Sequence, residues 1–370
     1  GSAVRIEGAL VVGSDGRPSG ELTLTGTLNW SPLNEQVRFL GRAVRLLPGA
    51  SISGTAEIAP LVVRVDGSEV AVHGSVDLRR TELLWPSYFQ KPSDVGAVFT
   101  IDGRLRLDTG ELSLATATLE VNPPRGADAS SPPDVVISAR TAGAAATAIS
   151  SLETTVAVAD VDRLGRYVPP VEPYVRRWQA AGPIKIDLSL SPSAAGQPVV
   201  ARVDAGGLTF LTAPDAGKAA GVPMTAEVHG LLDAEGHRPQ LRRVVLTLGD
   251  SAIEWTGLLG EQPQPKDPSR THLAVSGSVA ARGVERWLRL ARPLLPSRPF
   301  IGLVGNLSID DLTGSFSQDA IALDLGVIDA TRASLEVNPS PGRAEPARRL
   351  LAKQLGKLAR GQCVLAYAKA

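Results

Sequence analysis

The side chains that could carry catalysis or bind a metal are few in this chain, and their spacing matches no common catalytic motif. The four histidines are His73, His229, His237 and His272, and none lies in the H-E-x-x-H spacing that puts two zinc ligands on one helical face. The single cysteine, Cys363, excludes an intrachain disulfide and a cysteine-rich zinc site. Phosphate-binding glycine loops and the G-x-S-x-G nucleophile motif are also absent. We therefore predict that the chain is not an enzyme and needs neither a metal nor a cofactor.

An acidic pair, Asp310-Asp311, follows an alternating apolar run. Carboxylate oxygens are the ligands that calcium prefers, so the pair is a candidate cation site. Short polar pairs at the end of such a run are also typical of turns. We interpret the pair as a turn at a strand end, with calcium binding as the less favoured alternative.

Composition and charge limit the partners and the fold class. The chain has 370 residues, with 38 Lys+Arg against 38 Asp+Glu and a net charge of zero. A nucleic-acid-binding protein normally has a basic excess, so we expect no nucleic-acid partner. Aromatic residues make up only 4% of the chain, so any apolar face is mainly aliphatic. The 37 glycines and 28 prolines interrupt the chain often, which favours many short strands. The sequence has no run of 18 consecutive apolar residues, which is about the length that a membrane-spanning helix needs. Gly1-Ser2 resembles the remnant of a cleaved tag, and we expect the chain to be part of a longer protein.

Period-2 patterning dominates the sequence. Between Gly182 and Ser191 the apolar residues Ile184, Ile186, Leu188 and Leu190 alternate strictly with polar ones, which predicts a strand with one buried and one wet face. Similar runs recur along most of the chain, and Asp-Gly pairs such as Asp66-Gly67 and Asp102-Gly103 favour hairpins. Many antiparallel strands with one apolar face can form a sandwich, a barrel or an open trough. Composition alone does not decide between them.

Three short helical segments interrupt the strands. They are expected to begin near Ser31, Asp162 and Gly283, and each is followed by a strand. We divide the chain into residues 1–160 with the first helix-strand unit, residues 161–345 with the second and third, and residues 346–370. The near-copies 117–123 and 333–339 favour an internal duplication.

The last segment, 346–370, is predicted to begin with a basic amphipathic helix. Its leucines lie on one side, and its opposite side carries Arg349, Lys353, Lys357 and Arg360. Such a side suits contact with anionic lipid head groups. The alternative, which the pattern slightly favours, is a helix that packs its leucines on the sheet and leaves its charges in water.

A resemblance to a known family rests on the second helical unit. Asp162-x-x-x-x-Tyr167-x-Pro169, followed by Trp178 and by Gly182 before a strand, is similar to a segment of YhdP-type proteins. Weaker versions lie at 37–58 and 284–309, and glycine-interrupted strands cover about the whole chain. Together these features resemble the AsmA-like superfamily of bacterial envelope proteins, which includes TamB-type and YhdP-type bridge-like lipid transfer proteins.

The resemblance implies a mainly β fold: a long twisted antiparallel sheet bent into an open hydrophobic groove, the β-taco arrangement, with short capping helices. It also implies a periplasmic protein tethered to the inner membrane, with phospholipid or another acyl-chain lipid as partner, and possible contacts with membrane surfaces and envelope proteins. The residues expected to line the groove are Ile184, Ile186, Leu188, Leu190, Val70, Val72, Val76, Leu105, Leu107, Leu246, Leu248, Val275, Leu323 and Leu325.

Two other interpretations remain open. The same aliphatic residues suit a structural or adhesive β-rich envelope protein with a filled core and no lipid. They also suit a compact soluble lipid carrier with a closed cavity.

Overall fold

Antiparallel strands form most of the molecule in a computed structural model of the chain. It describes residues 2–14, 16–30, 51–85, 89–109, 111–122, 132–142, 151–191, 196–213, 216–232, 239–264, 267–291, 301–316, 321–324, 326–329 and 332–337. The predicted first helix near Ser31, the basic segment 346–370 and Leu325 lie outside these residues.

The chain forms two compact units. Unit 1 comprises Gly1–Pro192 and Gly207–Phe210, and unit 2 comprises Ser193–Gly206 and Leu211–Ala370. The sequence-based division begins the second segment at residue 161. The structure keeps 161–192 in unit 1 because the strand that starts at Ile184 pairs with the strand that ends at Val158.

Unit 1 is an open antiparallel sheet. Its strands are β1 (Ala3–Val12), β2 (Pro18–Asn29), β3 (Ser51–Asp66), β4 (Glu69–Trp85), β5 (Phe89–Lys91), β6 (Ala97–Arg106), β7 (Glu111–Val121), β8 (Val135–Ala142), β9 (Ser151–Val158) and β10 (Ile184–Leu190). Each strand pairs with the next from β1 to β4, and β4 pairs with both β5 and β6. The order then continues from β6 to β10. Among the described residues of unit 1, β1 pairs with β2 and β10 pairs with β9, so the sheet has two edges and does not close into a barrel.

Unit 2 repeats this architecture. Its strands are β11 (Gln197–Asp204), β12 (Phe210–Ala213, whose first residue belongs to unit 1), β13 (Ala216–Lys218), β14 (Met224–Leu232), β15 (Pro239–Leu248), β16 (Ser251–Gln264), β17 (Asp267–Arg282), β18 (Ile301–Phe316), β19 (Ile321–Asp324), β20 (Val327–Asp329) and β21 (Ala333–Val337). The order is β11-β14-β15-β16-β17-β18, and β19, β20 and β21 pair with successive parts of β18. β12 and β13 form a separate two-stranded sheet. The prediction of a mainly β, antiparallel and open architecture with short helices is confirmed in both units.

The second and third predicted helical segments, which are the ones within the described residues, lie where the sequence predicts them. In unit 1, α1 (Val161–Leu164) begins after Asp160, whose side chain accepts a hydrogen bond from the backbone N–H of Asp162. A 3₁₀ turn (Pro169–Val171) leads into α2 (Glu172–Trp178), which ends at Gln179 in the left-handed conformation. In unit 2, α3 (Val284–Ala291) follows β17.

Glycines coincide with bends in the strands. The register shifts beside Gly26, Gly103, Gly230 and Gly277, and such bulges bend a strand and increase its twist. Gly277 has a φ of 146°, and a Cβ there would overlap the carbonyl oxygen of Thr256 on β16. Only glycine fits this position.

The two Asp-Gly pairs behave differently. Asp66-Gly67 lies between β3 and β4 and forms the predicted hairpin turn. Asp102-Gly103 lies inside β6, so the prediction of a hairpin there is wrong. It pairs with β4 on one side and meets a bulge of β7 on the other, and this pairing on both sides outweighs the local turn preference.

Candidate functional site

The register of unit 1 aligns apolar side chains into rows that cross the strands. Directly opposed residues of an antiparallel pair point to the same face. The longest row, called row 1 here, consists of Ile58, Val76, Phe99, Leu119, Ile137, Val156 and Ile186. Because it crosses six inter-strand spacings of about 4.8 Å, row 1 is about 29 Å long.

The predicted groove residues of unit 1 share the face of row 1, with one exception. Val70 opposes Leu105 in register and lies an even number of residues from Val76, and the β10 residues alternate with Ile186 in the same way. Leu107 is the exception: it lies in the turn after β6, where it is 62% exposed. β6 ends at Arg106 because that residue pairs with Glu111 at the hairpin end, so Leu107 lines no strand face.

Unit 2 has the same construction. Its central row, called row 2 here, consists of Ala201, Val228, Val244, Trp255, Val279, Ile309 and Ile328. Leu246 opposes Ala226 and Ile253, and Val275 opposes Leu259, so both lie on the face of row 2. Leu248 opposes Met224 on the same face, and Leu323 pairs with Gly314 in register.

These faces are only partly covered. Among the predicted groove residues with described side chains, Leu248 is buried at 5% exposure, and those in strands are otherwise half-buried. Full burial in unit 1 concentrates in one row beside row 1, formed by Ala56, Leu78, Ala97, Val121, Val135 and Val158. A filled sandwich core would bury successive inward residues along each strand. The apolar face is therefore buried along this row, called the covered margin here, and partly open beyond it.

The opposite face of unit 1 is polar. Arg64 contacts Glu21 at 2.8 Å, Lys185 contacts Asp187 at 2.9 Å, and Arg140 contacts Glu153 on the neighbouring strand. These pairs are solvent-exposed and contribute little to stability, on the order of 0–1 kcal/mol each. These pairs keep this face of the sheet hydrated, whereas the face that carries row 1 is apolar.

A buried polar network fixes the covered margin of unit 1. Tyr167 is 1% exposed and packs against Val121, Val135 and Val158. Its hydroxyl group donates a hydrogen bond to the Asp134 carboxylate at 2.7 Å. Asp134 also accepts from the Arg163 guanidinium at 2.8 Å and from the Asn122 amide at 2.9 Å. The network ties α1 and the segment after it to the ends of β7 and β8.

The members of this network shift one another's pKa values. Burial by itself raises the pKa of Asp134, but the hydrogen bonds from Arg163, Tyr167 and Asn122 outweigh it and hold the pKa below its usual value. Burial and the adjacent carboxylate raise the pKa of Tyr167, so its hydroxyl stays a donor. Asp134 therefore remains an ionised acceptor for three donors at neutral pH.

In unit 2, α3 covers the corresponding margin. It packs against β16 and β18, and Val284 is 7% exposed. The Glu285 carboxylate accepts a hydrogen bond from the Gly305 backbone at 3.1 Å, and the Arg286 guanidinium lies 2.8 Å from Asp250. The helix is thereby attached to β18 and to the turn between β15 and β16.

Sequence reasoning missed a buried lysine. Lys91 is fully buried, and its Nζ donates to the backbone carbonyls of Thr81 and, at 3.1 Å, of Pro92. Burial lowers its pKa to about 8, although Asp77 and other nearby carboxylates oppose the shift. Its sequence context, Gln90-Lys91-Pro92, gives no signal of burial, and that of Asp134 gives none either. Tyr167, by contrast, belongs to the motif that carried the family resemblance.

The candidate cation ligands are dispersed. His73 lies 3.7 Å from Asp102, His229 contacts Glu227, His272 lies in β17, and His237 lies outside the described residues. Within the described residues no group of three or more His, Cys, Asp or Glu side chains could hold a metal ion.

The acidic pair does not form the turn that the sequence suggested. Asp310 and Asp311 lie inside β18, where Asp311 has a φ of 58°. The register against β17 shifts at this point, so the pair forms an irregularity within a continuous strand. The prediction of a strand end is therefore wrong, because β17 continues to pair with β18 on both sides of the pair.

Comparison with known proteins leaves the family open. No family model, no curated protein and no solved structure matches this chain. Among the described helices, none has the length and apolar character needed to cross a membrane. The resemblance to the AsmA-like superfamily stays a prediction.

Proposed function

We propose that this chain is a non-enzymatic lipid-transport protein whose apolar sheet faces hold the acyl chains of phospholipids. The observation that supports the proposal is row 1: a mainly aliphatic stripe about 29 Å long whose residues, apart from the buried Ile58, are half-buried among the described residues. A contiguous apolar surface that stays partly open is typical of an interaction site.

Acyl chains suit these faces because the chain and the side chains that it would contact are both aliphatic. Such a contact does not depend on where along the row the chain lies. Each methylene moved out of water gains about 0.8 kcal/mol, so a dozen methylenes gain roughly 10 kcal/mol when fully buried. An open face recovers part of this value and lets a chain shift between equivalent positions. The bulges beside glycines favour a sheet that curves around the chains to form the expected groove.

The cellular setting follows from the family resemblance. We infer a periplasmic bridge, tethered to the inner membrane in the full-length protein, that passes phospholipid between the inner and outer membranes. The basic side of the segment 346–370, formed by Arg349, Lys353, Lys357 and Arg360, is the proposed contact with membrane surfaces. Envelope proteins are the further partners expected for such a bridge.

The test combines lipid extraction with one charged substitution on each face. Purified protein is extracted and its lipid measured by mass spectrometry, for the parent, for Leu188→Asp and for Ser138→Asp. Leu188 lies on the apolar face in β10, while Ser138 lies on the polar face between Thr118 and Thr155. An ionised carboxylate is poorly tolerated against hydrocarbon but acceptable where water reaches it.

We expect the parent to carry phospholipid, Leu188→Asp to lose most of it, and Ser138→Asp to keep it. Because the face is partly open, Leu188→Asp should still melt cooperatively within a few degrees of the parent. A parent without lipid, together with a Leu188→Asp variant that fails to fold, would instead support a structural or adhesive protein whose apolar face is a covered core.

A further inference from the structure

The outer edge of β1 has no partner strand in the part of the chain that the structure describes. Within the described residues β1 pairs only with β2, and nearly all of its ten residues are exposed. Ile6, Leu10 and Val12 are 62%, 46% and 67% exposed, and the register places them on the same face as Leu24. Natural sheets normally protect such edges, and a long apolar edge strand is a template for pairing with another strand.

The free hydrogen-bonding groups of β1 can be assigned by parity. The Gly13 backbone N–H donates to the Arg17 carbonyl at 2.9 Å, so odd-numbered residues of β1 direct their backbone groups to β2. The Gly67 N–H donates to the Pro18 carbonyl at 2.9 Å, so Pro18 faces β3 and its partner Val12 faces away from β2. Even-numbered residues such as Val4, Ile6 and Gly8 therefore present their N–H and C=O groups at the outer edge.

We propose that β1 pairs with β1 of a second copy of this chain, antiparallel and centred on Ile6. In this register Ile6 opposes its own copy, and the remaining positions pair symmetrically, which makes the contact isologous. Arg5 of each copy then faces Glu7 of the other, at non-hydrogen-bonded positions where opposed side chains lie closest.

The charges of Arg5 and Glu7 favour this register over the two registers that are shifted to either side of it. Backbone parity allows only shifts that pair even residues with even residues. The shift to one side sets Arg5 against Arg5, and the shift to the other sets Glu7 against Glu7. Like charges directly opposed are unfavourable, whereas the register centred on Ile6 contains two opposite-charge pairs. The apolar face of unit 1 would then continue across the contact from one copy to the next.

The proposal goes beyond lipid binding and does not depend on it. A single strand pairing buries less than a standard interface of roughly 1,600 Å², so we expect a reversible dimer of weak affinity. Sedimentation equilibrium over a concentration series measures it directly. The variants are Arg5→Glu, Glu7→Arg and the double exchange.

Each single variant replaces two attractive pairs by two repulsive ones, and should weaken dimerisation about 10- to 100-fold. The double exchange restores both attractive pairs and should recover the parent affinity within about threefold. Thermal melts of the variants, which should match the parent, check that the strand itself is unaffected. A parent that stays monomeric, or a double exchange no better than the single variants, overturns the proposal.

A crosslink provides an independent check of the register. In a Cys363→Ser background, Ile6→Cys places two thiols on opposed residues whose Cα atoms are about 5.5 Å apart, which a disulfide can bridge. Leu10→Cys is the control, because its two copies would be about 27 Å apart. Oxidised dimers should form with Ile6→Cys alone. Equal crosslinking of both variants, or of neither, contradicts this register.

Discussion

Asp134→Asn should release the covered margin of unit 1 with almost no change in side-chain shape. Asp134 is 1% exposed and accepts hydrogen bonds from Tyr167, Arg163 and Asn122 at 2.7, 2.8 and 2.9 Å. An asparagine has one acceptor oxygen and a donor amide. Whichever way it turns, the amide faces at least one of these donors.

The expected cost can be worked out from the three partners. Leaving a buried donor such as the Tyr167 hydroxyl unsatisfied costs about 1–3 kcal/mol. The Arg163 side chain is half-exposed and can turn to water, so its loss adds only on the order of 1 kcal/mol. Because the asparagine oxygen still accepts from the donors that it faces, the two losses do not add in full, and we expect Asp134→Asn to lower the free energy of unfolding of unit 1 by about 1–3 kcal/mol. Tyr167→Phe should cost less, and Arg163→Gln least.

Hydrogen exchange measured by mass spectrometry is the suitable assay, because it reports on each unit separately. Amides of β8, α1 and α2 should lose protection in Asp134→Asn, while those of β15 in unit 2 keep it. Asp187→Asn is the matched control: it lies on the polar face of β10 and is 44% exposed, so its effect should stay within about 0.5 kcal/mol. Equal protection in the two variants would refute the argument that the network holds the helices in place.

The network should also make unit 1 sensitive to acid. Since the pKa of Asp134 is lower in the folded protein than in the unfolded chain, its contribution is present above the unfolded value of about 3.9 and is lost as the pH falls through the folded one. The difference in stability between the parent and Asp134→Asn should therefore shrink below about pH 4.

Two further substitutions test the buried lysine and the glycine bend. The pKa of Lys91 is about 8 when folded and about 10.4 when unfolded, so the unfolded state binds more protons between these values and the parent gains stability as the pH rises. The stability of Lys91→Met relative to the parent should thus fall by up to about 3 kcal/mol from pH 7 to pH 10.4 in urea titrations, and a pH-independent difference would contradict it. Gly277→Ala should destabilise unit 2 by about 2–3 kcal/mol because alanine is strained at a φ of 146°, whereas Gly230→Ala, where φ is not positive, should cost less in the same titration.

The helical segments show how far local signals reach. The start of α1 near Asp162 and of α3 near Gly283 could be predicted because caps, prolines and apolar spacing act within a few residues. Where those helices dock could not be predicted. Asp134 and Tyr167 are 33 residues apart in sequence, and only the pairing of β8 with β9 brings the strand end under the turn that follows α1.

Two of the failed predictions share one physical cause. Asp102-Gly103 and Asp310-Asp311 both look like turns in sequence, yet both lie inside strands. A local turn preference is weak compared with ladder hydrogen bonds to neighbouring strands, and a bulge accommodates the misfit. Leu107 fails in the opposite sense, since its strand ends one residue too early for it to join the sheet.

By itself the sequence determined the class of structure: an antiparallel β protein whose strands have one aliphatic and one polar face. Alternation with a period of two is a property of each strand alone, so it can be read without knowing the neighbours. The tertiary structure decided which strands pair, how their residues align into rows 1 and 2, and how much of each face is covered. Those features depend on register and on contacts between distant residues, and no local pattern specifies them.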